Sequence, residues 1–510
     1  MNYPNKRMST MNLNLCTDPW LPVRMCSGAC THVSLENFFQ QAHEISDLVL
    51  AAHERISIMR LLICIAQRAI DGPADRDEWD DCLKDISPAS VKYLETRRHA
   101  FNLLGEDGAF LQVKGVESLS SESWGSLSKI SLSAAEGNNP TIFDNAAGSM
   151  RCFSLGKIAI DLITFQNYAL CGTIGVAKWN GMQTGPKSPD TASDAPCAPK
   201  SAIHLFVLGR NMLETIWLNL CTTEEFAPFR CGMGQPVWEL MPVNIDDEPA
   251  VNNATLSYLG RLVPLSRIVK IAPDAGSCIV AKGIEYPVYI NKDELQYFES
   301  SMTVTIKENI RSIVGASLNK AMWRSLPALL HRFSLSGKSF SRVDENDLPE
   351  QYGVWIGAMV RDKAKILSIV EDRYEHLGRN HVGVAADEVQ HKLMSLANKG
   401  MASLRMALDT YHKLLHDSFE NKKAVYEKVE QLYWGRLASF KEEYVKTLGS
   451  SSSKMEKYVS SREEWIRHIC DTINETFNLT VSQSGVRQLA AWAGARQCLS
   501  TKQSLNKDNE

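Results

Sequence analysis

A chain of 510 residues, 44% of them hydrophobic, can bury a large core and, at roughly 150 residues per domain, folds as two or three domains. Its net charge of −4 excludes a bulk polyanion binder, so any nucleic-acid surface is a local patch or a few loops, with partner chains adding positive charge. The longest apolar runs, such as Leu61-Leu62-Ile63-Cys64-Ile65-Ala66, fall far short of the roughly 20 residues of a membrane helix, and thirteen irregularly spaced cysteines read as reduced thiols of a cytoplasmic protein.

The first residues, Met1-Asn2-Tyr3-Pro4-Asn5-Lys6-Arg7, hold no apolar signal core. Residues 13–60 read as a strand, a turn at Ser27-Gly28 and a helix carrying Leu48, Leu50, Ile56 and Met59. That helix runs on through Arg68 and stops at Asp71-Gly72-Pro73, because Gly and Pro both break helical runs. After a second helix near 88–98, Phe110-Leu111-Gln112-Val113-Lys114-Gly115-Val116-Glu117 reads as an amphipathic strand and turn.

Residues 118–150 are rich in Ser, Gly and Asn, and residues 180–201 in Pro, Gly, Ser and Asp. Both are expected to be long exposed loops, which in a compact domain are usually functional or disordered. Apolar runs at 268–272 and 286–290 suggest strands, and 321–333 suggests a helix. Around Arg361-Asp362-Lys363-Ala364, two runs with β-branched residues flank a polar turn and read as a β-hairpin. A helix starting at Asp362 is the competing reading.

From about 386 the apolar positions recur at helical spacing. One series is Val389, Leu393, Leu396, Leu404, Leu408, Tyr411 and Leu415; a second is Val425, Val429, Leu432, Phe440 and Tyr444. A third is Tyr458, Trp465, Ile469, Ile473 and Phe477, and the last is Val486, Leu489, Trp492 and Ala493. Four such helices with short connections make an antiparallel bundle. The expected class is therefore α+β: a large mixed α/β domain over 11–378 and a C-terminal four-helix bundle over 386–502.

Enzyme motifs are missing. Gly337-Lys338-Ser339 lacks the earlier glycine of a phosphate-binding loop, since Arg332 stands there. His416-Asp417 is an isolated pair on a bundle helix, and Cys26 and Cys30 have no second ligand pair nearby. The residues point to no catalytic group, no metal and no cofactor.

Several segments nevertheless carry a resemblance in matching order. Met11-Asn12-Leu13-Asn14-Leu15, with Asp18-Pro19-Trp20-Leu21-Pro22-Val23-Arg24 after it, resembles the opening of the large subunit of Cascade, the type I-E CRISPR RNA-guided surveillance complex (the CasA family). Residues 1–10 precede it, leaving Met1 and Met11 as alternative starts. The Phe110–Glu117 segment is similar to a family strand end. The resemblance implies that Phe165-Gln166-Asn167 closes an apolar strand leading into a glycine loop, Cys171-Gly172-Thr173-Ile174-Gly175-Val176-Ala177-Lys178. That loop would approach the minor groove of the protospacer-adjacent motif (PAM) in double-stranded target DNA.

On this reading Gly172 and Gly175 take the close-approach positions, where a missing Cβ admits a nucleic-acid edge, and Lys178 neutralises a phosphate. An ordinary glycine-containing surface loop remains the alternative. Phe143 and Asn145 match a family element that contacts the guide RNA 5′ handle and the PAM region, unless Phe143 simply ties its loop to the core. Arg361, Asp362, Lys363 and Ala364 align with the hairpin that wedges the duplex open, a lysine standing where the family usually has an amide. An ammonium only donates hydrogen bonds whereas an amide also accepts them. Lys282 is a candidate minor-groove lysine, with a solvated turn lysine as the alternative.

The resemblance implies a non-catalytic DNA-recognition subunit. Its partners would be target DNA, CRISPR guide RNA, the backbone, handle-binding and small subunits of Cascade, and a helicase–nuclease recruited after target binding; no membrane is involved. The alternatives from other classes are a cytosolic enzyme with an unrecognised site and a purely structural scaffold subunit.

Overall fold

The computed structural model describes residues 12–105, 109–117, 124–134, 144, 152–186, 188–226, 229–287, 299–307, 310–334, 352–378, 381, 384–416, 421–450 and 455–506. The chain separates into two compact units. One comprises Met1–Leu318, Arg332–Leu348 and Tyr352–Glu375; the other comprises Asn319–His331, Pro349–Gln351 and His376–Glu510. Helix and sheet are mixed in the first, and the described elements of the second are helical.

The first unit opens with β1 (Leu21–Met25) between β2 (Cys30–Val33) and β3 (Ile45–Leu48), both antiparallel to it. Helix α1 (Leu35–Gln40) is capped by Ser34, whose Oγ accepts from the Asn37 N–H at 3.2 Å. The expected single helix through Leu48 and Leu50 is therefore corrected. Leu48 pairs with Val23 in β3, and helix α2 begins only at Ala52, where the Glu54 carboxylate accepts the Ala51 N–H at 3.1 Å. It ends at Ile70 before Asp71 at φ +51°, as the Asp-Gly-Pro punctuation dictates.

Residues 52–67 of α2 are all buried, which makes it the central rod of the unit. A charged cluster sits on it. Arg60 and Arg261 both bind the buried carboxylate of Glu299, and Arg60 Nε also donates to Asn167 Oδ1 at 3.0 Å. Helices α3 (Arg76–Asp81) and α4 (Leu83–Arg97) follow. The expected strand over Phe110–Glu117 shortens to β4 (Val116–Glu117), because its first half fills the core instead. Phe110 stacks on Phe101 with centroids 5.0 Å apart, and Gln112 bridges the Leu103 carbonyl (2.7 Å) and the Ile271 N–H (2.8 Å).

Helix α5 spans Leu155–Tyr168, so Phe165-Gln166-Asn167 ends a helix, not a strand. Every residue from Ile158 to Tyr168 is buried. A helix wet on no side shows no 3.6-residue alternation, and its apolar run is then indistinguishable from a buried strand. The triplet is nonetheless a packing device: the Gln166 amide donates to the Arg267 carbonyl and accepts the Arg267 N–H, both at 2.9 Å.

Three small sheets follow. Strand β5 (Gly172–Ile174) pairs with β8 (Asp190–Ala192), and β6 (Lys178–Trp179) lies between β4 and β7 (Met182–Gln183). The expected open loop over 180–201 is thus partly strand, and Ala195, Cys197 and Ala198 within it are buried. Strand β9 (His204–Leu208) is the edge partner of β14 (Tyr352–Asp362), which pairs on its other side with β15 (Lys365–Leu377). A hairpin, not a helix, therefore occupies the Arg361–Ala364 region.

Between them lie helices α6 (Met212–Leu218), α7 (Glu248–Leu256) and α8 (Tyr258–Leu262) and two hairpins, β10 (Arg267–Ile271) with β11 (Cys278–Lys282) and β12 (Val304–Lys307) with β13 (Ile310–Ile313). The strand expected at 286–290 is not formed at Tyr286 and Pro287, and 288–290 lie outside the described residues.

In the helical unit, α9 (Leu326–Ser334) begins in Asn319–His331, and α10 (Val384–Leu415), α11 (Lys422–Leu437), α12 (Lys441–Gly449), α13 (Met455–Thr480) and α14 (Val486–Ala495) succeed one another. The stripes Leu393–Leu396–Leu404–Leu408 and Trp465–Ile469–Ile473–Phe477 are buried as their period requires. The series containing Phe440 and Tyr444 is split, since a 3-10 turn at Ala438–Phe440 separates α11 from α12. Val486 and Leu489 face outward, 88% and 49% exposed, while α14 buries Ala491 and Ala495.

Trp323, from outside the C-terminal run, packs against Tyr444, Trp465 and Trp434 at 5.2, 6.1 and 6.3 Å. Trp323→Phe is expected to cost roughly 1–3 kcal/mol, read as earlier loss of helical circular dichroism on heating. An unchanged melt would mean that this aromatic cluster does not hold the unit together.

Candidate nucleic-acid interface

The glycine segment and the hairpin turn, 190 residues apart in sequence, share one support. Asp194 accepts the Cys171 N–H at 2.8 Å, which sets the start of β5, and its other oxygen takes the Arg361 guanidinium. Arg361 also donates from Nε to the Ala198 carbonyl (2.9 Å) and from Nη1 to the Lys363 carbonyl (2.7 Å), while its backbone N–H reaches Ser201 Oγ at 3.0 Å. Arg361 thus ties the turn to the 194–201 segment. The exposed tip is left to Asp362 and Lys363, with Lys363 at φ +52° in the left-handed region.

The expected glycine loop is instead a strand followed by a bend. Gly172 pairs with Ala192, and the Gly175 carbonyl accepts the Lys282 N–H at 2.9 Å. A Cβ added at Gly172 or Gly175 would meet nothing within 4 Å. No neighbour inside the fold requires these two positions to be glycine on grounds of space, in contrast to Gly260, where an added Cβ would lie 2.1 Å from the Asn253 carbonyl oxygen.

Lys282 is held in place: it ends β11, and its Nζ contacts Asp190 Oδ2 (2.5 Å) and Glu285 Oε1 (3.2 Å). The hydrogen bond that the ammonium donates to Asp190 raises its pKa, and the same contact lowers that of Asp190. A freely solvated turn lysine is excluded. Lys178 is exposed on β6, in a different sheet from Gly172, with Glu117 Oε2 3.7 Å away. Phe143 and Asn145 lie outside the described residues.

The glycine strand and the turn open onto one cavity of about 500 Å3, whose wall includes Gly172, Gly175, Ala364, Lys129 and Arg267. Sequence reasoning missed Lys129, Arg267 and Asp194. Nothing marks them locally, because Lys129 stands in a serine-rich stretch and the other two act only through distant partners. Arg267 is buried, its guanidinium donating to the carbonyls of Ser266, Leu170 and Ser193 at 2.9, 3.1 and 2.6 Å. Burial lowers its pKa to about 10.

Gly337-Lys338-Ser339 and Asp417 also lie outside the described residues, and His416 is exposed. Among the described residues no three His, Cys, Asp or Glu side chains come together as a metal site, and none of the thirteen cysteines is in a disulfide, Cys26 and Cys30 lying on the surface. No described helix is long and apolar enough to cross a membrane.

Residues 14–476 match the family model of the CRISPR-associated protein Cse1. A CRISPR-associated protein CasA/Cse1 of Thermus thermophilus is 26% identical over 392 residues, covering 72% of this chain and 71% of the relative. In structure, Thermobifida fusca Cse1 aligns over 97% of this chain and 98% of its own at a TM-score of 0.74 and 20% identity. A chain of a CRISPR RNA-guided surveillance complex aligns over 95% and 99% at 0.62 and 14%.

Proposed function

The chain belongs to the CRISPR-associated Cse1 family, the large subunits of Cascade, and from that premise we propose that it reads the PAM of double-stranded DNA and starts its opening. The observation carrying this reading is the convergence of Gly172, Gly175 and Ala364 on one cavity, with glycine positions that no neighbour in the fold crowds. The bare backbone of β5 and the bend after it lies against the minor groove, and the Asp362-Lys363-Ala364 tip enters the neighbouring base-pair step. Losing one step of stacking costs about 1.4 kcal/mol, within reach of a few loop contacts. Arg361 braces the tip from behind, Lys282 stands beside the groove on its two carboxylates, and Lys178 meets a more distant phosphate.

In this reading the subunit is non-catalytic and cytoplasmic. It works with guide RNA, whose 5′ handle meets the Phe143–Asn145 segment, and with the other Cascade subunits and a recruited helicase–nuclease. The helical unit is a four-helix bundle in which α11 and α12 together form one bent member.

Gly175→Val in the assembled complex tests the assignment. Gly175 needs no left-handed φ and its Cβ position is open, so the variant keeps its fold. Binding to PAM-bearing duplex should fall roughly tenfold, the scale of one lost favourable contact, while binding to a pre-melted bubble stays level. Equal losses on both substrates, or no loss on the duplex, would remove β5 from PAM reading.

A further inference from the structure

The cavity lined by the turn residue Ala364 is of a size to hold a ligand. Its volume of about 500 Å3 is that of a site for a small organic molecule, for which roughly 300–1,000 Å3 is usual. The wall has two chemistries. Phe165, Ile174, Val280 and Ile366 supply apolar wall, Lys129 and Arg267 supply positive charge, and no Asp or Glu is among the described lining residues.

Neither cation makes a salt bridge to a carboxylate among the described residues. The Arg267 guanidinium spends its hydrogen bonds on three carbonyls, and Asp194 and Glu285 act on its charge only from further away. Lys129 is exposed, with its Nζ lying over Gly125. Lys282 and Lys178, by contrast, have Asp190 and Glu117 close by. A ligand with one flat apolar part and one anionic part matches such a wall, and Ala364 brings the hairpin turn into it.

We propose that this cavity receives a single unpaired DNA nucleotide displaced by the turn, its base against the apolar wall and its phosphate on Lys129. An extruded base loses its stacking neighbours, and an apolar surface with a cation at its edge replaces both the stacking and the counter-ion atmosphere. Arg267 acts at a distance, through its field on the bound phosphate. The inference rests on the reading of the turn as the element that opens the duplex.

The test uses the purified full chain with a labelled short thymidine oligonucleotide, a sealed hairpin duplex and a uridine oligonucleotide of the same length. Lys129→Ala changes an exposed side chain, and Ala364→Trp puts bulk into the cavity from its wall. Both should weaken thymidine-strand binding about tenfold, and Lys129→Ala, which lies outside the duplex-opening tip, should leave duplex binding nearly unchanged. Lys129→Ala should also flatten the dependence of log affinity on log salt by about 0.7, the contribution of one single-strand phosphate.

Single-strand binding unaltered in both variants overturns the proposal. Tighter binding of the uridine strand, lost in the same variants, reassigns the cavity to guide RNA and overturns the DNA assignment. Gly175→Val on PAM-bearing duplex, measured in parallel in the assembled complex, separates the two levels. If it still loses binding while the cavity variants do not, only the nucleotide seat fails; if it loses nothing, PAM reading fails as well.

Discussion

Glu299→Gln is expected to destabilise the mixed unit by about 3–5 kcal/mol, the usual cost of leaving buried charge without its partner. Glu299 Oε1 accepts from Arg261 Nε and Nη2 at 2.9 and 2.6 Å, and Oε2 binds Arg60 Nη2. The three side chains come from α2, α8 and the segment before β12, and all are buried. Burial opposes ionisation of Glu299, but the charges of Arg261 and Arg60 hold its carboxyl below the ordinary value of 4.5. With its folded pKa depressed, this contribution is complete at neutral pH and is lost only as the pH falls below about 4.5 and through that lower value.

An amide cannot balance two guanidinium groups, so the variant leaves two cations facing each other in the core. A melting temperature lower by roughly 10 °C in thermal denaturation is the expected readout. Replacing Arg60, Arg261 and Glu299 together by apolar residues should cost less than Glu299→Gln alone, since no unpaired charge remains. If Glu299→Gln melts with the parent, the carboxylate is not the counter-ion of this cluster.

Lys363→Asp should slow target-strand opening roughly thirtyfold in the assembled complex while leaving assembly intact. The side chain is exposed at the tip, so its loss disturbs no packing. Exchanging an ammonium for a carboxylate about 4 Å from a phosphate turns an attraction of roughly 1 kcal/mol into a repulsion of the same size. Lys363→Gly separates charge from shape: glycine takes φ +52° without strain, so the turn persists and only the cation goes. It should show the smaller part of the loss. Permanganate reactivity of the first base pairs next to the PAM measures both, and unchanged opening in Lys363→Asp would take the tip out of strand separation.

What could be read from the sequence were the features that short stretches encode by themselves. Asp71-Gly72-Pro73 stops α2 because its backbone preferences allow nothing else. The β-branched runs on either side of Arg361–Ala364 make a hairpin, and the heptad-like series in α10 and α13 fall on buried faces. Each rests on a local period or turn, and the order of motifs was enough to place the chain among the Cse1 proteins.

Tertiary structure alone decided the rest, for two physical reasons. A fully enclosed element loses the polar–apolar alternation from which its type is read, which is why α5 passed for a strand; on α14 the apolar period is present, but packing buries Ala491 and Ala495 and leaves Val486 and Leu489 exposed. Electrostatic and hydrogen-bond partners are set by folding across long separations. Asp194 joins Cys171 to Arg361, Asp190 holds Lys282, and Glu299 joins Arg60 to Arg261. No local pattern carries those pairings, and they determine which of the chain's cations are already spent within the fold and which, like Lys129 at the cavity, have no carboxylate partner among the described residues.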